Sequence, residues 1–72
     1  MARLELMTWE PDNEDFHVES VTGAFTELMA KAYELSRNPT VYAVRVWGDD
    51  DDLYHDHFNW KLQQEIEANY SA

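Results

Sequence analysis

The chain has 72 residues, no cysteine, and fifteen Asp and Glu against five Lys and Arg, a formal net charge of -10. That leaves room for one domain, 1–72, and excludes disulfides and a cysteine-ligated zinc site. The charge repels nucleic acid and anionic lipid, and no run of about 18 apolar residues offers a membrane span.

A disordered acidic tail is excluded as well. Hydrophobic residues make up 44% of the chain, and three Trp, four Tyr and three Phe supply core material. A domain this small buries only about 60% of the surface its unfolded chain exposes. Its stability is expected to be a few kcal/mol, to be secured by a dense core, a His/Asp metal site or a second subunit. Met1-Ala2-Arg3-Leu4-Glu5 places an acid where a signal peptide is apolar. Together with the missing cysteines, this reads as a cytoplasmic protein.

Arg3 to Trp9 reads as a strand, with Leu4, Leu6 and Thr8 on one face and Arg3, Glu5, Met7 and Trp9 on the other. The turn residues of Glu10-Pro11-Asp12-Asn13-Glu14 break it. Phe16 to Val21 reads as a second strand, paired with the first as an antiparallel hairpin. Thr22 is a candidate N-cap for a helix over 23–37. Phe25, Leu28, Met29, Ala32 and Leu35 form its apolar stripe, and Arg37 stands in its last turn. Asn38-Pro39 stops it.

Thr40 to Trp47 reads as a central strand, apolar on both faces apart from Arg45. Gly48 and Asp49-Asp50-Asp51-Asp52 end it. Beyond them, Tyr54, Phe58, Leu62 and Ile66 recur every four residues, and no Val, Ile or Thr occurs between Asp49 and Glu65. This favours a second helix from about Asp52 to Asn69; the alternative is a short strand with a helix starting near Asn59. The expected fold is α+β, a three-stranded, mainly antiparallel sheet with two helices in the order β-β-α-β-α.

Four constellations bear on function. His55 and His57, among Asp49 to Asp52 and Asp56, suit divalent metal ligation only on a strand, where they share a face. On the favoured helix they lie about 200° apart, so no metal ligand is assigned and no cofactor is expected. The Asp run does not follow the alternating pattern of a calcium-binding loop. For catalysis, Ser20, Ser36 and Ser71 lack a Gly-x-Ser-x-Gly context, and the only glycines, Gly23 and Gly48, form no phosphate loop. The chain is therefore read as a non-enzyme with no catalytic residue.

The aromatic residues Trp9, Trp47, Trp60, Tyr33, Tyr42, Tyr54 and Tyr70 exceed what a small core must hold, and some are expected to form an exposed or dimer-burying patch. The surrounding charge disfavours stacking nucleic-acid bases on them. The acids, finally, are clustered: Glu10, Asp12, Glu14 and Asp15 in one loop, Asp49, Asp50, Asp51 and Asp52 in another, then Asp56, Glu65 and Glu67. The net charge exceeds the magnitude of about 2 to 8 that solubility asks of a small domain. A compact 72-residue body would span about 28 Å and face fewer than about twenty duplex phosphates.

In size, acidity and α+β layout the whole chain resembles the small inhibitors that bacteriophages encode against host defence or transcription machinery, such as anti-CRISPR proteins and DNA mimics. The resemblance is one of class; no diagnostic motif is present, so no functional residue is carried over. It implies a stoichiometric inhibitor in the cytoplasm of an infected bacterium. The expected partner is the basic, nucleic-acid-binding surface of another protein, met by Asp49 to Asp52, Asp56, Glu10, Asp12, Glu14 and Asp15. The alternatives are a homodimeric accessory protein whose acids serve solubility, and a His/Asp metal-binding module.

Overall fold

A computed structural model describes residues 1–70, with the side chain of Tyr70 excepted; Ser71 lies outside the described residues. Four strands and two helices follow in the order β1 (Ala2–Glu10), β2 (Asp15–Gly23), α1 (Phe25–Leu35), β3 (Val41–Trp47), β4 (Leu53–Phe58) and α2 (Trp60–Tyr70). The fold is α+β as expected. The sheet, however, has four strands rather than three, in the spatial order β2-β1-β3-β4, and the element order is β-β-α-β-β-α.

The added strand comes from the segment expected to open a long helix over 52–69. Two backbone bonds close the turn after β3, Gly48 N–H to the Asp52 carbonyl at 2.9 Å and Asp51 N–H to the Gly48 carbonyl at 3.0 Å. This turn sends the chain straight back along β3. Its N–H and C=O groups then find partners there, from Ala43↔Phe58 to Trp47↔Leu53. Satisfying that ladder outweighs the weak strand propensity of Tyr54-His55-Asp56-His57. The four-residue stripe is divided: Tyr54 and Phe58 sit on a strand, Leu62 and Ile66 on a helix that begins at Trp60. The strand-then-helix alternative is the observed one.

The other elements follow their patterns with shifted ends. The β1–β2 hairpin is antiparallel from Ala2↔Gly23 to Glu10↔Asp15. Thr22 does not cap α1; it is paired with Arg3 inside β2, and Ala24 stands at the N-cap with no side-chain bond. Arg37 lies beyond the helix, which ends at Leu35 with Ser36 as its C-cap.

Antiparallel pairing puts Ala2, Leu4 and Leu6 with Val21, Val41, Val44 and Val46 on one face of the sheet. The α1 stripe lies on that face. Leu28 and Ala32 are buried against Ala2, Leu4 and the three valines, with Phe25, Met29 and Leu35 packed around them. α2 instead extends beyond the end of the sheet. The body is therefore elongated, 42 × 19 × 18 Å with a radius of gyration of 13.2 Å, rather than the compact span expected from chain length.

Candidate functional site

All the acids but one are at the surface; only Glu5 is half-buried. Strand direction decides where they gather. β1 runs toward the Glu10–Asp15 turn, and β3 runs the opposite way, toward Gly48 and the Asp run. The two acidic loops therefore stand at opposite ends of the sheet. Seven residue steps along β1, from Arg3 opposite Trp47 to Glu10 opposite Asp15, put them about 24 Å apart or more.

At one pole are Glu10, Asp12, Glu14 and Asp15. α2 starts from the same end of the sheet and brings Glu65 beside Trp9 and Pro11 across a shallow cleft. At the other pole are Asp49 to Asp52, next to the first residue of α1, Phe25. The positive end of the α1 dipole faces that pole. Asp56 belongs to neither: it lies mid-strand, its carboxylate accepting from Arg45 Nε at 3.2 Å. The structure thus keeps each acidic loop together and separates the two.

The Asp run is shaped, not slack. Asp51 holds a left-handed backbone, φ 63°. Asp50 Oδ1 accepts from the Asp52 N–H at 3.2 Å, and Asp50 also accepts from the Tyr54 hydroxyl. The Tyr54 and Asp52 bonds hold the Asp50 carboxyl below its ordinary range, and the same contact raises the Tyr54 phenol. Asp49 meets the Met1 amino group at 2.8 Å. A Cβ at position 48 would stand 2.5 Å from the Tyr54 ring, so any other residue there displaces that side chain.

On β4, His55 and His57 share the face turned toward α1, as their strand placement demands. Sharing a face does not make them a chelate. The Ser36 hydroxyl gives its single proton to the Ala32 carbonyl at 2.7 Å, so at 2.9 Å His55 Nε2–H must donate to Ser36 Oγ. Burial pushes the His55 pKa below its ordinary value, with His57 adding to the shift and Asp56 opposing it. The His57 Nε2 is buried with no hydrogen-bond partner. No group of three or more metal-ligating side chains occurs among the described residues.

The sheet face away from α1 carries a feature that composition suggested but could not locate. An aromatic row crosses it: Trp9, Phe16, Tyr42, Phe58 and Trp60, with successive ring centroids 4.5 to 5.0 Å apart. Arg3 lies over the Trp47 ring at 4.4 Å. Strand alternation assigns Trp9, Phe16 and Val18 to one face, but Tyr42 joins them through the β-bulge opposite Met7 and Thr8, and Phe58 through a β4 that the sequence pattern did not favour.

Comparison with protein families, characterised proteins and solved structures returns no match. No helix among the described residues is long and apolar enough to cross a membrane.

Proposed function

We propose that this protein is a non-enzymatic inhibitor that occupies a basic, nucleic-acid-binding surface of a partner protein, working in the cytoplasm in the manner of a DNA mimic. One observation carries the reading: two acidic poles are held at fixed separation by a single sheet on an elongated body. Fifteen carboxylates over 42 Å is one per about 2.8 Å of length, against about 3.4 Å per phosphate along one strand of a duplex. Anionic groups at that density complement a groove lined with Lys and Arg, and prepositioned turns limit the ordering cost of binding. The sites assigned to contact are Asp49 to Asp52 at one pole and Glu10, Asp12, Glu14 and Asp15 at the other; Asp56, neutralised by Arg45 between the poles, is set aside.

Two poles make a sharper expectation than one patch. A partner that follows the body lengthwise should lose affinity when either pole is neutralised. The test immobilises the protein, passes bacterial lysate over it, and elutes with salt or with added duplex DNA. Nucleic-acid-binding proteins should be retained at low salt and released by both eluents, since exposed charges are screened and DNA competes for the same groove. Replacing Asp49 to Asp52 with Asn keeps the turn, because Asn tolerates the left-handed backbone of position 51. Retention of the same proteins by this variant and by a second one neutralised at Glu10, Asp12, Glu14 and Asp15 would refute the proposal.

A further inference from the structure

The sheet face opposite α1 departs from the rest of the molecule in charge. Among the described residues, strand alternation places four charged side chains on it: Arg3, Glu5, Arg45 and Asp56. They sum to zero in a chain of net charge -10. Arg45 and Asp56 are already paired, and Arg3 is stacked on Trp47. Ser20 and Thr22 of β2 share the face, which is otherwise apolar. Met7, Val18, Tyr42 and Phe58, with the charged Glu5 and Arg45, line a cavity of about 180 Å³ open to solvent. Val18 is 57% exposed and Leu53 47%. No element of the described chain covers this area; α2 reaches only its end, where Tyr42 donates to Gln63.

A surface with that composition selects its occupant. A nucleic acid is repelled by both acidic poles, and a basic protein finds no excess negative charge here. A second copy of this chain is repelled too until salt screens its poles, but it brings an apolar, charge-balanced face of the same kind to bury against this one. The face is neutral, so two copies can approach through it while their acidic poles remain at the ends of the pair. We propose that the protein self-associates by stacking this face against the same face of a second copy, as two antiparallel sheets about 10 Å apart. The contact is isologous, so Arg45 and Glu5 of one copy can meet Glu5 and Arg45 of the other.

The area is sufficient for a reversible dimer. Four strands about 4.8 Å apart and six to nine residues long span about 19 by 26 Å, roughly 500 Å² on each copy. The pair then buries about 1,000 Å², the lower limit for a specific interface, which points to micromolar rather than nanomolar association.

Salt separates this dimer from the proposed function. Binding to a basic partner weakens as salt rises, whereas pairing of two chains of charge -10 strengthens as their repulsion is screened. Sedimentation equilibrium across micromolar to sub-millimolar concentration, at low and high salt, should show a monomer–dimer equilibrium that shifts toward dimer in high salt. Val18→Glu should weaken it at least about tenfold, since it places a charge inside an apolar contact. Tyr33→Glu, on the exposed side of α1, should leave it unchanged. If Val18→Glu does not fold, the concentration dependence of wild-type amide NMR shifts still decides the matter. Shifts at Met7, Val18, Ala43 and Leu53 support the proposal. A monomer throughout the range, a dimer insensitive to Val18→Glu, or shifts confined to α1 would overturn it.

Discussion

Asn59 joins α2 to β3, donating from Nδ2 to the Val41 carbonyl oxygen at 3.1 Å. Its other amide atom, Oδ1, accepts from the Leu62 N–H at 3.0 Å and so caps the first turn of α2, while its own N–H donates to the Tyr42 carbonyl at 2.9 Å. One side chain thus ends β4, starts α2 and fixes the direction in which the helix leaves the sheet. Among the described residues Leu62 is the one buried hydrophobic residue of that helix, Trp60 packs on Phe58, and Gln63 accepts from Tyr42. Asn59→Ala removes the cap and the Val41 bond together and should lower stability by about 1–3 kcal/mol. Urea denaturation measures the loss. Hydrogen exchange should show α2 amides opening well before those of β1 and β3.

The two outcomes for the second half of the chain show where sequence patterns stop being informative. The Phe25-to-Leu35 stripe has only one partner that can bury it, so its period is enough to define α1. The Val41-to-Trp47 run is equally direct, because a strand apolar on both faces has to be central. Residues 53–60 carry two periods at once: Tyr54 and Phe58, continued by Leu62, suit a helix, while Tyr54, Phe58 and Trp60 also alternate as a strand does. The tie is broken by the exposed edge of β3 and by a turn tight enough to deliver the chain to it. Neither is a property of the segment itself. The acidic loops were legible as loops and as clusters. Their placement at opposite poles follows from strand direction, which the hairpin and the central strand fix only when all the pairings are known.

His55 supplies a pH dependence whose sign follows from its surroundings. Burial under α1 and the neighbouring His57 hold its pKa below the ordinary value of about 6.5, so the unfolded chain takes up the proton more readily than the folded one. The stability associated with the neutral ring is complete above about 6.5 and is lost as pH falls from there toward the folded value. The melting temperature should therefore decline between about pH 7 and 5. His55→Gln, which keeps a donor for Ser36 but cannot titrate, should decline less over the same window. Identical pH profiles for the two proteins would exclude His55 as the source.

The hairpin turn contains a removable strain. Glu14 has φ 51°, a left-handed conformation that non-glycine residues adopt at a cost of about 1–2 kcal/mol. Glu14→Gly relieves it, and part of the gain is returned through the freer unfolded chain. A net stabilisation of about 0.5–1 kcal/mol is expected. Because Glu14 also sits among Glu10, Asp12 and Asp15, removing its charge relaxes repulsion as well. Glu14→Gln isolates that electrostatic part. A thermal melt should rank Gly above Gln, and Gln at or slightly above the wild type; equal values for Gly and Gln would assign the whole effect to charge.

His57 is where stability and composition conflict most openly. It faces the α1 side of the sheet opposite Val44, and its Nε2 is buried without a hydrogen-bond partner. A polar atom in that position forfeits its hydration and gains nothing in return, at a cost of about 1–3 kcal/mol. Leucine has a similar bulk and no such atom. His57→Leu should therefore stabilise the fold by about 1 kcal/mol, although adding apolar bulk to a β-strand interior limits the gain. His55→Leu, the matched change two residues earlier, should do the opposite, because it breaks the bond to Ser36 and leaves the Ser36 hydroxyl with only the Ala32 carbonyl. Chemical denaturation of the two single variants compares them directly. A loss of stability in His57→Leu as large as that in His55→Leu would mean that the buried nitrogen is satisfied in solution and that both histidines serve the packing under α1.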